Sequence, residues 1–182
     1  GSSLAEAHAY LVAGLENGLS TDDVSATIQF NLGIGTDFFL ELTKYRVIRR
    51  LWSRIVEEYQ PEHSCSMATY LCGETAKRYF SIADMHTNMI RTTTMVASAA
   101  LGGADAIRAL PFDVHRVKNQ EFGERIARNV SLILQEESYL QRVLDPAGGS
   151  YFMDELSEEL SDKAWKLFQE IESQGGFVKA TA

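Results

Sequence analysis

The chain has 182 residues, of which 45% are hydrophobic, and it carries a formal net charge of −8 at pH 7. This length and composition are sufficient for one buried core, so a single domain over residues 1–182 is predicted. The acidic balance excludes nucleic acid as a partner, and no apolar run approaches the roughly 20 residues that a membrane-spanning helix needs.

Hydrophobic periodicity and turn residues divide the chain into alternating helices and strands. The first predicted element is a helix, and a polar loop begins at Asp22. Glycine or proline follows most of the later elements. The predicted helices cover residues 4–17, 38–59, about 88 to the Gly102-Gly103 pair, 125–137 and 151–173. The predicted strands lie near residues 27–32, 67–72, 104–111 and 142–145.

Strands that alternate with helices favour parallel pairing through helical crossovers. The predicted fold class is therefore α/β: half of a (β/α)8 TIM barrel, with four parallel strands each followed by a helix, plus one leading helix. A closed barrel needs eight such units, typically in about 250 residues. Four strands leave two open edges and an inner face without cover. We therefore expect the isolated chain to form a homo-oligomer or to pair with a second barrel half.

Three segments could hold a ligand, and two of them have a structural alternative. The long loop from Gly73 to Ala83 follows the second predicted strand, where α/β barrels place their sites. Residues 148–150 (Gly-Gly-Ser) precede the last helix, whose N–H groups could bind an anion, although a simple chain reversal is the favoured interpretation. Glu136 and Glu137 are adjacent on a helix and point about 100° apart, so they cannot face each other across a substrate. For these two residues, solvation of the helix end is favoured.

Four segments of the chain carry a resemblance to a known family. They read MIRTTT at 89–94, GGADAIRALPFD at 102–113, RIARN at 125–129 and DPAGGSY at 145–151. Together they resemble the substrate-binding barrel of the methylmalonyl-CoA mutases, and GGADAIRALPFD resembles the small, non-catalytic chain type. The resemblance covers nearly the whole chain. It implies strands five to eight of that barrel, without the first half and without a cobalamin-binding domain.

The second predicted strand departs from the catalytic pattern of that family. Catalytic chains carry the motif R-x-H-x-Q-T-S-G here. The arginine and the polar groups of that motif bind the CoA thioester substrate. This chain reads YLCGETAK at 70–77, in which only Thr75 survives. Tyr70 cannot supply the bidentate cationic fork of an arginine. Glu74 adds a negative charge where an anionic substrate would lie.

The third predicted strand departs in the same way. Catalytic chains read G-G-T-Q-S-L-H-T-N-S-F-D, and here Asp105 and Arg108 replace the glutamine and the histidine. We therefore expect the side chains at the mouth of this strand, where a barrel site would lie, to differ in chemistry from those of catalytic chains, in line with the small chain type.

No catalytic residue and no metal site is predicted. The four histidines are scattered without metal-ligand spacing. Asp84 and His86 begin like the cobalt-binding motif D-x-H-x-x-G, but Met89 occupies the glycine position, so His86 is interpreted as a helix-start residue. Two cysteines, Cys65 and Cys72, do not form a disulfide framework, and reduced thiols in a cytoplasmic protein are expected.

Two functions follow from the resemblance. In the first, the chain is a structural partner of the large catalytic subunit, or of a second barrel half, in the adenosylcobalamin-dependent isomerisation of methylmalonyl-CoA and succinyl-CoA. Alone it would be inactive and bind no cofactor. In the alternative, it is a CoA or acyl-CoA binding module with a residual site at the strand ends. The residues of that substrate site would be Thr75, Lys77, Arg78, Arg108, Gly148, Gly149 and Ser150. Candidates for a cofactor-facing surface are Gln135, Glu136 and Glu137.

Overall fold

The computed structural model describes residues 1–116 and 121–181, which form α-helices, short 3-10 turns and one small sheet. The strands are β1 (Gln29–Ile34), β2 (Tyr70–Thr75) and β3 (Ala106–Arg108). The helices are α1 (Ser2–Glu16), α2 (Thr21–Ser25), α3 (Phe38–Glu57), α4 (Thr87–Leu101), α5 (Glu121–Glu136), α6 (Tyr151–Ser173) and α7 (Phe177–Ala180). Short 3-10 turns cover Ser64–Met67, Lys77–Tyr79 and Leu140–Arg142. Within these described ranges, no helix combines the length and apolar composition needed to cross a bilayer.

The sheet confirms the α/β class. Its strand order is β1-β2-β3, and β2 runs parallel to β3 with Cys72 opposite Ala106 and Glu74 opposite Arg108. Helix α4 makes the crossover between β2 and β3, as the alternating pattern predicted. Half of a TIM barrel is compatible with this arrangement.

The fourth predicted strand, at 142–145, is not formed. The chain makes a 3-10 turn at Leu140–Arg142, and the Leu144 side chain beyond it is 95% exposed. A strand requires a hydrogen-bonded neighbour, and β3 offers an edge of only three residues. The sheet of the described residues therefore has three strands.

The other strand boundaries shift because side chains and turns compete with the sheet. Residues 64–67 form a turn, so β2 begins at Tyr70 and not at Met67. Strand β3 stops at Arg108, and the backbone N–H of Leu110 donates to the hydroxyl of Thr75, 2.8 Å away. β1 begins two residues later than predicted.

The helices follow the predicted pattern more closely. Helix α6 has the predicted limits, and α3 begins at Phe38, with a side-chain oxygen of Asp37 accepting from the N–H of Leu40 at 3.2 Å. Helix α2 occupies the expected polar loop, because the Ser20 hydroxyl accepts from the N–H of Asp23 at 3.1 Å and caps the helix.

Two compact units make up the chain, and each has its own core. The first contains residues 1–30, 46–70 and 154–182, and in it Phe30 packs edge-to-face on the fully buried Trp52. The second contains residues 31–45 and 71–153, and it holds most of the sheet. Its buried apolar side chains include Ile34, Leu42, Tyr45, Leu71, Met95, Val96, Ala99 and Met153.

Candidate functional site

The candidate site is one face of the sheet, which we call the open face and define by Asn31, Cys72, Glu74, Ala106 and Arg108. Side chains alternate between the two faces of a strand, and the β2–β3 register places Cys72 beside Ala106 and Glu74 beside Arg108. Asn31, Glu74 and Arg108 are exposed, and Cys72 and Ala106 are partly buried. The described residues thus leave this face uncovered.

An ion pair between neighbouring strands dominates the open face. A guanidinium nitrogen of Arg108 donates to the Glu74 carboxylate at 2.7 Å, and the two side chains are 75% and 48% exposed. The carboxylate therefore occupies part of the fork with which Arg108 could bind an anion. An anionic ligand would have to compete with Glu74 for that fork.

The open face borders a cavity of about 500 Å³. Its walls include Asn31, Gly33, Cys72, Ala76 and the Glu74–Arg108 pair. The interior of an ordinary TIM barrel is filled mainly by bulky, branched aliphatic side chains. The small and polar residues of the open face do not fill space in that way.

Thr75, the one candidate shared with the catalytic pattern, points to the opposite face of the sheet. It is completely buried, and its hydroxyl accepts the N–H of Leu110. Lys77 and Arg78 follow in an exposed turn, where the Arg78 guanidinium lies 4.9 Å from the centre of the Tyr79 ring. The structure therefore does not bring these candidates together with Arg108 as one set of polar groups.

The candidates at 148–150 form an exposed chain reversal. The N–H of Gly148 donates to the carbonyl of Asp145 at 3.0 Å, and the N–H of Ser150 donates to the carbonyl of Ala147 at 3.2 Å. Gly149 has a φ of +81°, which a residue with a side chain rarely adopts. These contacts support the turn interpretation, while anion binding at this turn stays a prediction.

The cofactor-facing candidates lie exposed at the carboxyl end of α5. Gln135 also borders a cavity of about 420 Å³, together with Leu140 and Gln141. Glu136 and Glu137 do not line that cavity. Their proposed role toward a cofactor stays a prediction.

Asp105 does not lie at the mouth of the third strand, so the expectation is wrong for this residue, whereas Arg108 does lie at the carboxyl end of β3. It directly precedes β3, at the amino end of the strand. Its carboxylate accepts the N–H of Leu71 at 2.8 Å, and its own N–H donates to the Leu71 carbonyl at 2.8 Å. Asp105 therefore extends the backbone pairing of β2 and β3 by means of its side chain.

Asn88 organises the carboxyl edge of the sheet, and sequence reasoning missed this role. The side chain is fully buried. Its amide NH2 donates to the carbonyls of Ser81 and Phe112, and its oxygen accepts from the N–H of Ser81 and from Arg91, all at 2.9 Å. It thus ties the loop after β2 to the segment after β3. An amide in the first turn of a helix that follows a long loop was the only sequence signal.

The segment that resembles a cobalt-binding motif makes local contacts at the start of α4. His86 immediately precedes α4, and its ring stacks on Phe112 with centroids 5.4 Å apart. The Asp84 carboxylate accepts from the Thr87 hydroxyl, and this bond lowers the pKa of Asp84. Among residues 1–116 and 121–181, no group of three or more His, Cys, Asp or Glu side chains could hold a metal ion.

Comparison with known proteins gives a consistent result over the whole chain. A family model described as methylmalonyl-CoA mutase matches residues 1–182. The chain is 39% identical over 164 residues to the methylmalonyl-CoA mutase small subunit of Porphyromonas gingivalis, covering 90% of the chain and 26% of that protein. It is 40% identical to the probable small subunit of Mycobacterium bovis, covering 98% of the chain and 30% of the relative. It is also 37% identical to the mitochondrial methylmalonyl-CoA mutase of Bos taurus, covering 99% of the chain and 24% of that enzyme. The chain thus spans between 24% and 30% of the length of these relatives.

Proposed function

Because the chain belongs to the methylmalonyl-CoA mutase family, we propose that it is a barrel segment of the small-subunit type that supports a catalytic mutase chain. The supported reaction is the adenosylcobalamin-dependent isomerisation of methylmalonyl-CoA and succinyl-CoA. In this proposal the chain alone does not turn over substrate. We place it in the cytoplasm, where the free thiols of Cys65 and Cys72 would stay reduced.

The open face is the observation that carries this proposal. In a closed barrel, the inner face of one half packs against the inner face of the other half. Here one face of the sheet is buried through Ile34, Leu71 and Thr75, whereas the face with Glu74 and Arg108 is uncovered. A second barrel half would cover it. The proposal also retains a fourth strand at 142–145 as part of that half-barrel.

In this proposal the described residues hold no cobalamin. His86 stacks on Phe112 at the start of α4, Glu136 and Glu137 are exposed, and the described part of the chain has no group of three or more His, Cys, Asp or Glu side chains that could hold a metal ion. Imidazole that ligates a metal is normally oriented by a hydrogen-bonded second group. Here Asp84 accepts from Thr87. We therefore assign no step of the reaction to cofactor binding by these residues.

A binding experiment with a complementary half tests the proposal. The partner would be the barrel region that precedes the matched segment in the Mycobacterium bovis relative. Mixing it with this chain should give a 1:1 complex at micromolar concentration in analytical ultracentrifugation. If the chain stays a compact monomer and does not bind the added half at these concentrations, the proposal is contradicted.

A charge reversal on the open face supplies the matched test. Arg108→Glu places a second carboxylate beside Glu74, and we expect it to weaken the complex at least tenfold, because like charges would be enclosed together. The control is Lys163→Glu on α6, which also reverses an exposed, paired cation. Equal binding by wild type and the Arg108 variant would place the partner elsewhere.

The alternative function, CoA or acyl-CoA binding by the chain itself, is favoured by the composition of the open face. Small and polar side chains border about 500 Å³ of space there, enough for part of an elongated polar ligand. Calorimetry with CoA decides between the two. The alternative predicts micromolar binding that Arg108→Ala abolishes and that Arg50→Ala, a change of an exposed arginine on α3, preserves. The main proposal predicts no measurable heat from the chain alone.

A further inference from the structure

The ion pair on the open face uses only part of the hydrogen-bonding capacity of its two side chains. One guanidinium nitrogen of Arg108 donates to one carboxylate oxygen of Glu74 at 2.7 Å. Within residues 1–116 and 121–181, neither side chain makes another hydrogen bond. A guanidinium has five N–H donors, and each of the two oxygens of a carboxylate accepts hydrogen bonds. Both charged groups can therefore bind a further group while their mutual contact stays in place.

The cavity beside the open face gives such a group room. Its volume of about 500 Å³ lies within the range of small-molecule sites. Glu74 contributes the one negative charge and Arg108 the one positive charge among the side chains that line it. The remaining lining residues are uncharged, and they include Asn31, Gly33 and Cys72. The charges of this cavity therefore balance within the cavity itself.

This balance selects the class of ligand. A simple anion is attracted by Arg108 and repelled by Glu74, and a simple cation experiences the reverse. A molecule with both an ammonium and a carboxylate group can place the ammonium on Glu74 and the carboxylate on the remaining N–H groups of Arg108. The four charges then alternate around a ring, and both new contacts form for one loss of translational freedom.

The strand register sets the spacing that such a molecule must match. Glu74 lies opposite Arg108, and neighbouring strands are about 4.8 Å apart. An ammonium nitrogen and a carboxyl carbon that are about three covalent bonds apart span nearly this distance. The side-chain amide of Asn31, in the same cavity wall, offers both a donor and an acceptor. The geometry thus favours a short ligand over a long one.

From this arrangement we propose that Glu74 and Arg108 form a binding site for a small zwitterion of the amino-acid class. The site goes beyond both functions considered above, because a CoA ester is a polyanion that Glu74 repels. It uses side chains of this chain alone, so it does not depend on a second barrel half. A covering half would lower the local dielectric constant and strengthen the same ionic contacts.

A nuclear magnetic resonance titration of the full chain tests the class of ligand. The probe is β-alanine, and each of two analogues lacks one charge. Butyrate carries a methyl group in place of the ammonium, and propylamine carries one in place of the carboxylate. We expect β-alanine to bind at least tenfold more tightly than either, with changes in the chemical shifts of Asn31, Cys72 and the Arg108 guanidinium. Equal affinities, or shift changes away from the open face, would overturn the site.

Two substitutions should remove the preference for both charges. With Glu74→Gln, butyrate should bind at least as tightly as β-alanine, because the ammonium has lost its acceptor. With Arg108→Gln, propylamine should do so, because the carboxylate has lost its donor. The control Glu159→Gln removes another exposed ion pair, with Lys163 on α6, and should leave the wild-type preference unchanged. If either open-face variant keeps the wild-type preference, the ion pair is not the binding site.

These outcomes are separate from those of the experiments with a complementary barrel half. A chain that binds no half and still prefers β-alanine would contradict the proposed function and retain the zwitterion site. A chain that binds the half and prefers none of the three probes would retain the proposed function and overturn the zwitterion site.

Discussion

The two faces of the β2 strand are built from different kinds of side chain. On the buried face, Leu71 and Thr75 are fully enclosed, and Gly73 lies close beneath Tyr45. On the open face, Cys72 is partly buried and Glu74 forms an exposed ion pair with Arg108. One face is thus completed within the described chain, and the other is exposed.

The difference shows that, along β2, the residues that build the core and those that could take part in function lie on opposite faces. Thr75, which matches the catalytic pattern, lies on the buried side, whereas Arg108, which departs from it, lies on the open side. Retention of Thr75 therefore follows from its bond to Leu110 and does not by itself indicate a substrate site.

The largest difference between the faces should appear on truncation to alanine. Leu71→Ala leaves a cavity in a fully buried position, so we expect a loss of about 2–5 kcal/mol in the free energy of unfolding. Cys72→Ala, one residue along on the open face, should change it by no more than about 0.5 kcal/mol. Urea denaturation followed by circular dichroism measures both. Similar losses from the two changes would show that the faces do not differ.

The next largest loss of unfolding free energy is expected at Gly73, which packs closely against its neighbours. A methyl group added there would lie 2.5 Å from the Tyr45 hydroxyl oxygen and 2.9 Å from Cδ1 of Ile34. We expect Gly73→Ala to cost about 1–3 kcal/mol of unfolding free energy. The Tyr45 hydroxyl is buried without a hydrogen-bond partner in the described structure, and burial raises its pKa. Tyr45→Phe should therefore recover part of the loss, and a double-mutant cycle that shows no coupling would contradict this packing.

Thr75 tests whether its hydroxyl is structural. Thr75→Val keeps the shape of the side chain and leaves the N–H of Leu110 without its acceptor, which should cost about 1–3 kcal/mol of unfolding free energy. Thr75→Ser retains the oxygen and should lose less. If Thr75→Val is as stable as wild type, the hydroxyl does not stabilise the segment after β3.

The smallest effect is expected from the ion pair on the open face. Glu74→Gln removes an exposed charge pair, so the unfolding free energy should fall by no more than about 1 kcal/mol, and by less in 0.5 M salt. The same urea titration at two salt concentrations measures this change. A larger, salt-independent loss would mean that the pair is enclosed in solution, and the open face would then already be covered.

Helices were predicted more accurately than strands, for a physical reason. Long amphipathic patterns fix α3 and α6, and the limits of α6 agree with the prediction. Strands depend on neighbours that may lie far away in sequence, so the apolar pair Val143–Leu144 indicated a strand that has no partner in the described chain. The turn at Ser64–Met67 displaced β2 in the same way, because local hydrogen bonds satisfied a segment that looked like a strand.

The candidate site was predictable in part. The departure of Glu74 and Arg108 from the catalytic pattern could be read from sequence, but their mutual ion pair depends on the β2–β3 register. The position of Asp105 at the amino end of β3 could likewise not be predicted from sequence. An acidic side chain that extends the backbone hydrogen bonding between two strands has no sequence signature. Asn88 was missed since its four hydrogen bonds join segments that only the fold brings together.

Thiol labelling of Cys72 is the most direct test of the account. The sequence has two cysteines, so Cys65→Ser leaves a single reporter on the open face. We predict that a maleimide reacts with Cys72 in the free chain and that a complementary barrel half slows this reaction at least tenfold. An unchanged labelling rate in a demonstrated complex would contradict the claim that the open face is where the partner binds.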